Sequence, residues 1–198
     1  MQPEKSFSHT NTSAEEVTVA YTSPVANMVA TTPSWRRWWR QVSYLPWLHS
    51  RWLTKTVQQQ LTEAVAKAEQ GHRGELVLVV ENHLPIQRAR VQNSLDRALE
   101  LFGHYRVWDT AENTGVLIYL NLCEQRLEIV ADRGINQHVM PAMWQAMCDK
   151  ALAGMADQRH LQSLVELLQD VGQLLGQYYR VDDDPSGNEL PDQLIFLA

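Results

Sequence analysis

The chain has little of what covalent cross-linking or a metal knuckle requires. Only two cysteines occur in 198 residues, Cys123 and Cys148, too far apart for a redox pair and too few for a disulfide framework. Both read as reduced, buried thiols. No run of about 18 apolar residues is present, so nothing reads as a membrane span. A secretion signal is also missing, because Glu4, Glu15 and Glu16 fall where positive charge and an apolar run are needed. A cytoplasmic protein is the expectation. Basic residues are in deficit, 17 Lys and Arg against 23 Asp and Glu, for a net charge of −6. That balance lacks the broad cationic face that neutralises phosphates, which argues against nucleic acid as a partner. No Gly-rich phosphate loop, G-x-S-x-G elbow, H-E-x-x-H or H-x-H pairing occurs.

What is there is a globular composition, 44% apolar and 20% charged, in a chain long enough for one full core. Residues 1–33 are rich in Ser, Thr, Asn and Ala and read as a mobile tail. Residues 34–54 follow as a Trp/Arg-rich segment with five of the seven tryptophans. Residues 55–180 read as one α/β domain, and 181–198 as an acidic tail ending in the apolar stretch LIFL. Within the domain, Val57, Leu61, Val65 and Ala68 repeat at helical spacing, and Gly71 can close that helix. ELVLVVE, from Glu75 to Glu81, predicts a strand covered on both faces. Val91, Leu95, Ala98, Leu99 and Phe102 predict a helix returning over the sheet. Two further strands, VLIYLNL and RLEIVA, lie so close together that only an antiparallel hairpin is practical. Pro141 can start a helix to about Leu152, and a last helix spans Leu161 to Tyr178.

A hairpin turn at Glu124 and Gln125 pairs Tyr119 with Val130 and Leu117 with Asp132. The loops Asp109–Gly115 and Asp132–His138 then lie side by side at one end of the sheet. Asp109, Glu112, Asn113 and Asp132 offer oxygen ligands for a hard divalent cation, Ca²⁺ foremost, and Arg126 or Arg133 could hold a phosphate. The competing reading is a polar rim in which Asp109 and Asn113 organise turns and Asp132 pairs with an arginine.

At these same residues the sequence resembles the TPM-domain family, also catalogued as a phosphatase-type domain. The resemblance is carried by His72-Arg73-Gly74-Glu75-Leu76, Leu101-Phe102, Val107 to Thr110, Asn113 to Leu120, Arg126 to Ile135 and Asn188 to Asp192. It is greatest to a short bacterial branch often encoded beside a LemA-type membrane protein. The resemblance implies an α/β/α sandwich with a small mixed sheet and helices on both faces. Among relatives it implies acid phosphatases, calcium binders at one end of the sheet, and accessory factors of membrane complexes. Between the last two helices this chain reads ADQRH, Ala156 to His160, where the family carries an aromatic, a basic residue and glycines.

Phosphatase chemistry needs a nucleophile or a metal-activated water, and the residues identify no catalytic group. The Trp/Arg cluster is the other candidate. Trp35, Arg36, Arg37, Trp38, Trp39 and Arg40 combine residue types enriched at interfaces and membrane surfaces, whereas Trp47 and Trp52 read as packed on the domain. The expectation is an accessory domain that meets a membrane-associated protein or membrane surface through residues 35–40 and stays peripheral at the inner face. A metal-dependent phosphomonoesterase using the paired loops is the alternative.

Overall fold

The computed structural model describes residues 20–21, 33–44, 50–181 and 194–197. Five strands, β1 (Ala20–Tyr21), β2 (Leu76–Glu81), β3 (Val116–Asn121), β4 (Arg126–Ala131) and β5 (Leu194–Leu197), form one sheet in the order β1-β4-β3-β2-β5. Only β3 and β4 run antiparallel; the other neighbours are parallel. The helices are α1 (Trp35–Ser43), α2 (Lys55–Ala68), α3 (Ser94–His104), α4 (Arg133–Asn136), α5 (Pro141–Ala156) and α6 (His160–Tyr178).

Strand periodicity divides the core into two layers. Leu76, Leu78, Val80, Ile118 and Ile129 face Leu61 and Val65 of α2, Trp144 of α5 and Leu164 and Leu168 of α6. Val77, Val79, Leu117, Tyr119 and Val130 face Ala98, Leu101 and Phe102 of α3. Continuous apolar strands follow from this, because both faces of β2 and β3 are covered. The fold is therefore an α/β/α sandwich around a mixed sheet. Helix starts carry recognisable caps: Thr54 accepts from Val57 N, and Asn93 with Asp96 forms a capping box.

The hairpin register differs from the sequence expectation by two residues. Leu117 faces Val130 and Tyr119 faces Glu128. The turn occupies residues 122–125, fixed by a hydrogen bond from Glu124 N to Asn121 Oδ1 (2.9 Å) and by left-handed Gln125 at φ 52°. A shift of two preserves the faces, since side chains alternate with period two.

The segments read as tails also contribute. Ala20–Tyr21 pairs with Val130–Ala131, and LIFL is the edge strand β5, parallel to β2. Residues 1–19 and 22–32 of the predicted N-terminal tail, and 182–193 and 198 of the C-terminal one, lie outside the described residues. Trp47 does too.

Candidate functional site

The loop before β3 and the loop after β4 are joined by backbone. Asp132 N donates to Gly115 O (2.8 Å) and Gly134 N to Asn113 O (2.9 Å). Two glycines permit this approach. A Cβ at Gly134 would collide with the carbonyls of Glu112 and Asn113, and one at Gly115 with that of Val107. Asp132 caps α4, a short helix where the sequence predicts a loop; its Oδ1 accepts from Arg133 N at 2.7 Å. Its other oxygen, Oδ2, is buried without a hydrogen-bond partner, and burial pushes the carboxyl above the usual carboxylate range.

The other residues at this end are mostly engaged. Arg73 Nη1 meets Glu112 Oε1 at 2.5 Å, and Arg133 Nε donates to Asn113 Oδ1 at 3.1 Å. Asn113 itself sits at φ 55°, a left-handed turn that Asn tolerates. Asn136 donates to Ala131 O and accepts from Trp144 Nε1. His138 stacks on Tyr178, with centroids 4.9 Å apart and planes at 14°. Asp109 is exposed.

A hard cation needs six to eight oxygens, several of them carboxylate. Among the described residues no group of three or more His, Cys, Asp or Glu is placed to hold a metal. The four oxygen-bearing residues share one end of the sheet but do not form a preformed shell, because Glu112 and Asn113 are turned to arginines. Arg126 is not there at all. It opens β4 opposite Asn121, whereas Asp132 follows the other end of that strand, so six residues at about 3.3 Å each, roughly 20 Å, separate them. The phosphate pair Arg126 and Arg133 is therefore not assembled. The thiols offer no nucleophile: burial pushes Cys123 up to about 11 and Cys148 up to about 12.

At the opposite end lies the Trp/Arg helix. Ser34 caps α1, accepting from Arg37 N at 3.3 Å. The helix is packed inside out. Gln41, only 2% exposed, donates to Glu124 Oε1 and accepts from Leu84 N, both at 2.9 Å. Arg37 reaches Gln92 O and Glu124, and Ser94 Oγ also donates to Glu124. The tryptophans point away: Trp35 is 58% and Trp39 63% exposed, joined edge-on through Trp38. Trp52, by contrast, packs against the core and beside His160.

Sequence reasoning missed three polar features. Glu81 is buried, gripped by Arg97 (2.7 Å) and by the Tyr119 hydroxyl (2.6 Å). Glu124 is the hub that fastens α1. Glu128 is buried in β4, and desolvation raises its carboxyl to about 7. The signal for Glu81 was available, since it ends a strand otherwise apolar on both faces.

The three-layer sandwich with paired loops at one sheet end defines a class of small α/β domain. The TPM domain pattern matches residues 49–173, and the chain belongs to that family. No curated protein is similar enough to match. Among solved structures, the chain is similar to the BA42 protein from the psychrophilic bacterium Bizionia argentinensis. The two share 23% identity and a TM-score of 0.63, over 72% of this chain and 94% of that one. It is also similar to the N-terminal domain of a protein from P. gingivalis, at 14% identity and a TM-score of 0.54, over 66% and 82% of the two chains. Both likenesses are of fold.

Proposed function

We propose that this TPM domain is a binding module that docks on a membrane-associated partner through α1 and stays peripheral at the inner membrane face. The observation that carries the reading is the inversion of α1. An amphipathic helix normally buries its apolar stripe and exposes its polar one, whereas here Gln41 and Arg37 face the domain while Trp35 and Trp39 face out. Exposed tryptophan with arginine is the composition of interaction hot spots. Among the described residues no helix is long and apolar enough to cross a membrane, so attachment rests on contact.

The test uses the full chain and a Trp35→Ser/Trp39→Ser variant, which alters only exposed rings. Wild type should co-sediment with native membranes and the variant should stay in the supernatant. Wild type that stays in the supernatant with the variant overturns docking.

One observation favours a subordinate cation reading, namely the buried, unpartnered Asp132 Oδ2. Ca²⁺ titration followed by amide shifts at residues 109–115 and 132–138 tests it. Shifts absent from wild type, or equally present in Asp132→Asn, remove it. Phosphomonoesterase activity has no comparable support, since the thiols are protonated and Arg126 is remote.

A further inference from the structure

From the outward face of α1 and the loop beneath it we infer that the occupant of this face is an anionic lipid bilayer, which the helix meets lying flat. The inference rests on the docking reading and names its partner. It also sets an orientation, in which the paired loops point away from the membrane.

Charge complementarity selects lipid. Although the chain carries a net −6, residues 17–62 contain no Asp or Glu and hold Arg36, Arg37, Arg40, Arg51 and Lys55. Arg37 is used internally, against Glu124. Arg36, Arg40 and Arg90 are exposed and have no carboxylate within ion-pair distance among the described residues. At 100° per residue, Trp35, Trp39 and Val42 form one stripe of the outer surface and Arg36 and Arg40 the adjacent stripe. That pairing, ring beside cation along one exposed face, suits the bilayer interface, where indole sits at headgroup depth and guanidinium meets lipid phosphate.

The face extends beyond the helix. Ser34 N donates to Arg90 O at 2.8 Å, and the Arg90 guanidinium lies 4.6 Å from the Trp35 ring centroid. Exposed Val91 is the next residue. Helix and loop thus present one rigid surface, held by Gln41 and Arg37 rather than by apolar contact that a bilayer could compete for. The family match spans residues 49–173, so α1 lies outside the matched residues.

Orientation follows from topology. The contacts of α1 described above are made by residues 84–92 and Glu124, and Cys123 Sγ also donates to Arg40 O at 3.6 Å, all where β2 and β3 end. Loops 109–115 and 132–138 flank the start of β3 and the end of β4, about 20 Å away along the strands. Exposed Trp108 belongs to that far end and serves as an internal reference.

The experiment is flotation of the full chain with protein-free vesicles, either phosphatidylglycerol with phosphatidylcholine or phosphatidylcholine alone. Binding is expected to the anionic vesicles, weakening as salt rises. Arg36→Ser/Arg40→Ser should lower partitioning about 25-fold, at roughly fivefold per arginine, and Trp35→Phe/Trp39→Phe should retain most of it. Brominated acyl chains should quench wild type and Trp108→Phe by the same intensity, because Trp108 lies at the far end. A quenched intensity that falls in Trp108→Phe overturns the orientation. Co-sedimentation with native membranes but not with anionic vesicles overturns the lipid assignment and leaves docking intact, with a membrane protein as partner. Failure to bind either overturns both.

Discussion

Replacing Glu128 by Gln should stabilise the protein at neutral pH and flatten its pH dependence. Glu128 stands opposite Tyr119 on the α3 face of β4 and is 6% exposed. Desolvation drives its carboxyl from 4.5 to about 7, against the pull of Arg126 and with added push from Glu124. A pKa raised in the fold means that the neutral form is the folded form. Its contribution is fully present below pH 4.5 and is lost as pH rises through about 7. At about 1.4 kcal/mol per pH unit, the charge costs about 3 kcal/mol above pH 7.5. Gln keeps the shape and carries no charge, so Glu128→Gln should match wild type near pH 4 and exceed it by about 3 kcal/mol at pH 8. For a domain of this size that is a rise in Tm of about 6–12 °C. Urea melts at half-unit steps from pH 4 to 8 measure the difference directly. If the two proteins keep a constant gap across that range, or if the Glu128 side-chain ¹³C resonance titrates near 4.5, the burial argument is wrong.

Other perturbations test the elements around the two ends. Gly134→Ala should cost about 1–3 kcal/mol, because the added methyl must displace two carbonyls, and its amide shifts should be confined to residues 107–115 and 131–138; stability within a few tenths of wild type would show that the loops are not so close. Glu81→Ala leaves Arg97 with Glu100 as its remaining carboxylate and frees the Tyr119 hydroxyl, for a loss of about 2 kcal/mol in urea melts, whereas Tyr119→Phe should lose about half of that. His72 accepts from Gly74 N through Nδ1 and contacts Ala68 O through Nε2, so the ring is held neutral, and burial lowers its pKa. A lowered pKa on a base means stability present above pH 6.5 and lost as pH falls below it. In a Glu128→Gln background, which removes that group's opposite slope, His72→Ala should shrink the acid-side loss and leave the part due to His160, whose pKa burial also lowers.

The sandwich was legible because both signals that define it are strong. ELVLVVE can only be a covered strand, and two short apolar runs four residues apart can only be a hairpin. Register was not legible to the residue, because nothing in the composition of residues 122–125 announces that Asn121 folds back on Glu124 N. LIFL was read as the end of a tail because four residues form a strand only when a partner edge is available, and that edge, β2, lies more than a hundred residues earlier. The loop pair was placed by topology alone, yet its chemistry needed coordinates. Glu112 and Asn113 look like ligands in sequence, and it is Arg73 and Arg133 that claim them. Arg126 was assigned to the wrong end for a related reason, since membership of a strand does not say how far along it the site lies.

The two ends of the sheet differ in how their polar groups are held, and that difference bears on function. At the loop end, Arg73 neutralises Glu112 and Arg133 donates to Asn113 Oδ1, so the site is largely satisfied within itself and keeps one orphan, Asp132 Oδ2. At the α1 end the polar side chains are consumed in fastening the helix, and what remains outside is aromatic and cationic. Glu124 decides this, because one carboxylate receives Gln41, Ser94 and the Arg37 guanidinium. Without that hub, α1 would gain most by rolling its tryptophans onto the domain. With it, the rings are held outward. Glu124→Ala should therefore bury Trp35 and Trp39, shifting their emission to the blue in the absence of any membrane and lowering vesicle binding together. Emission unchanged from wild type, with binding retained, would mean that the helix faces outward without the carboxylate that fastens it.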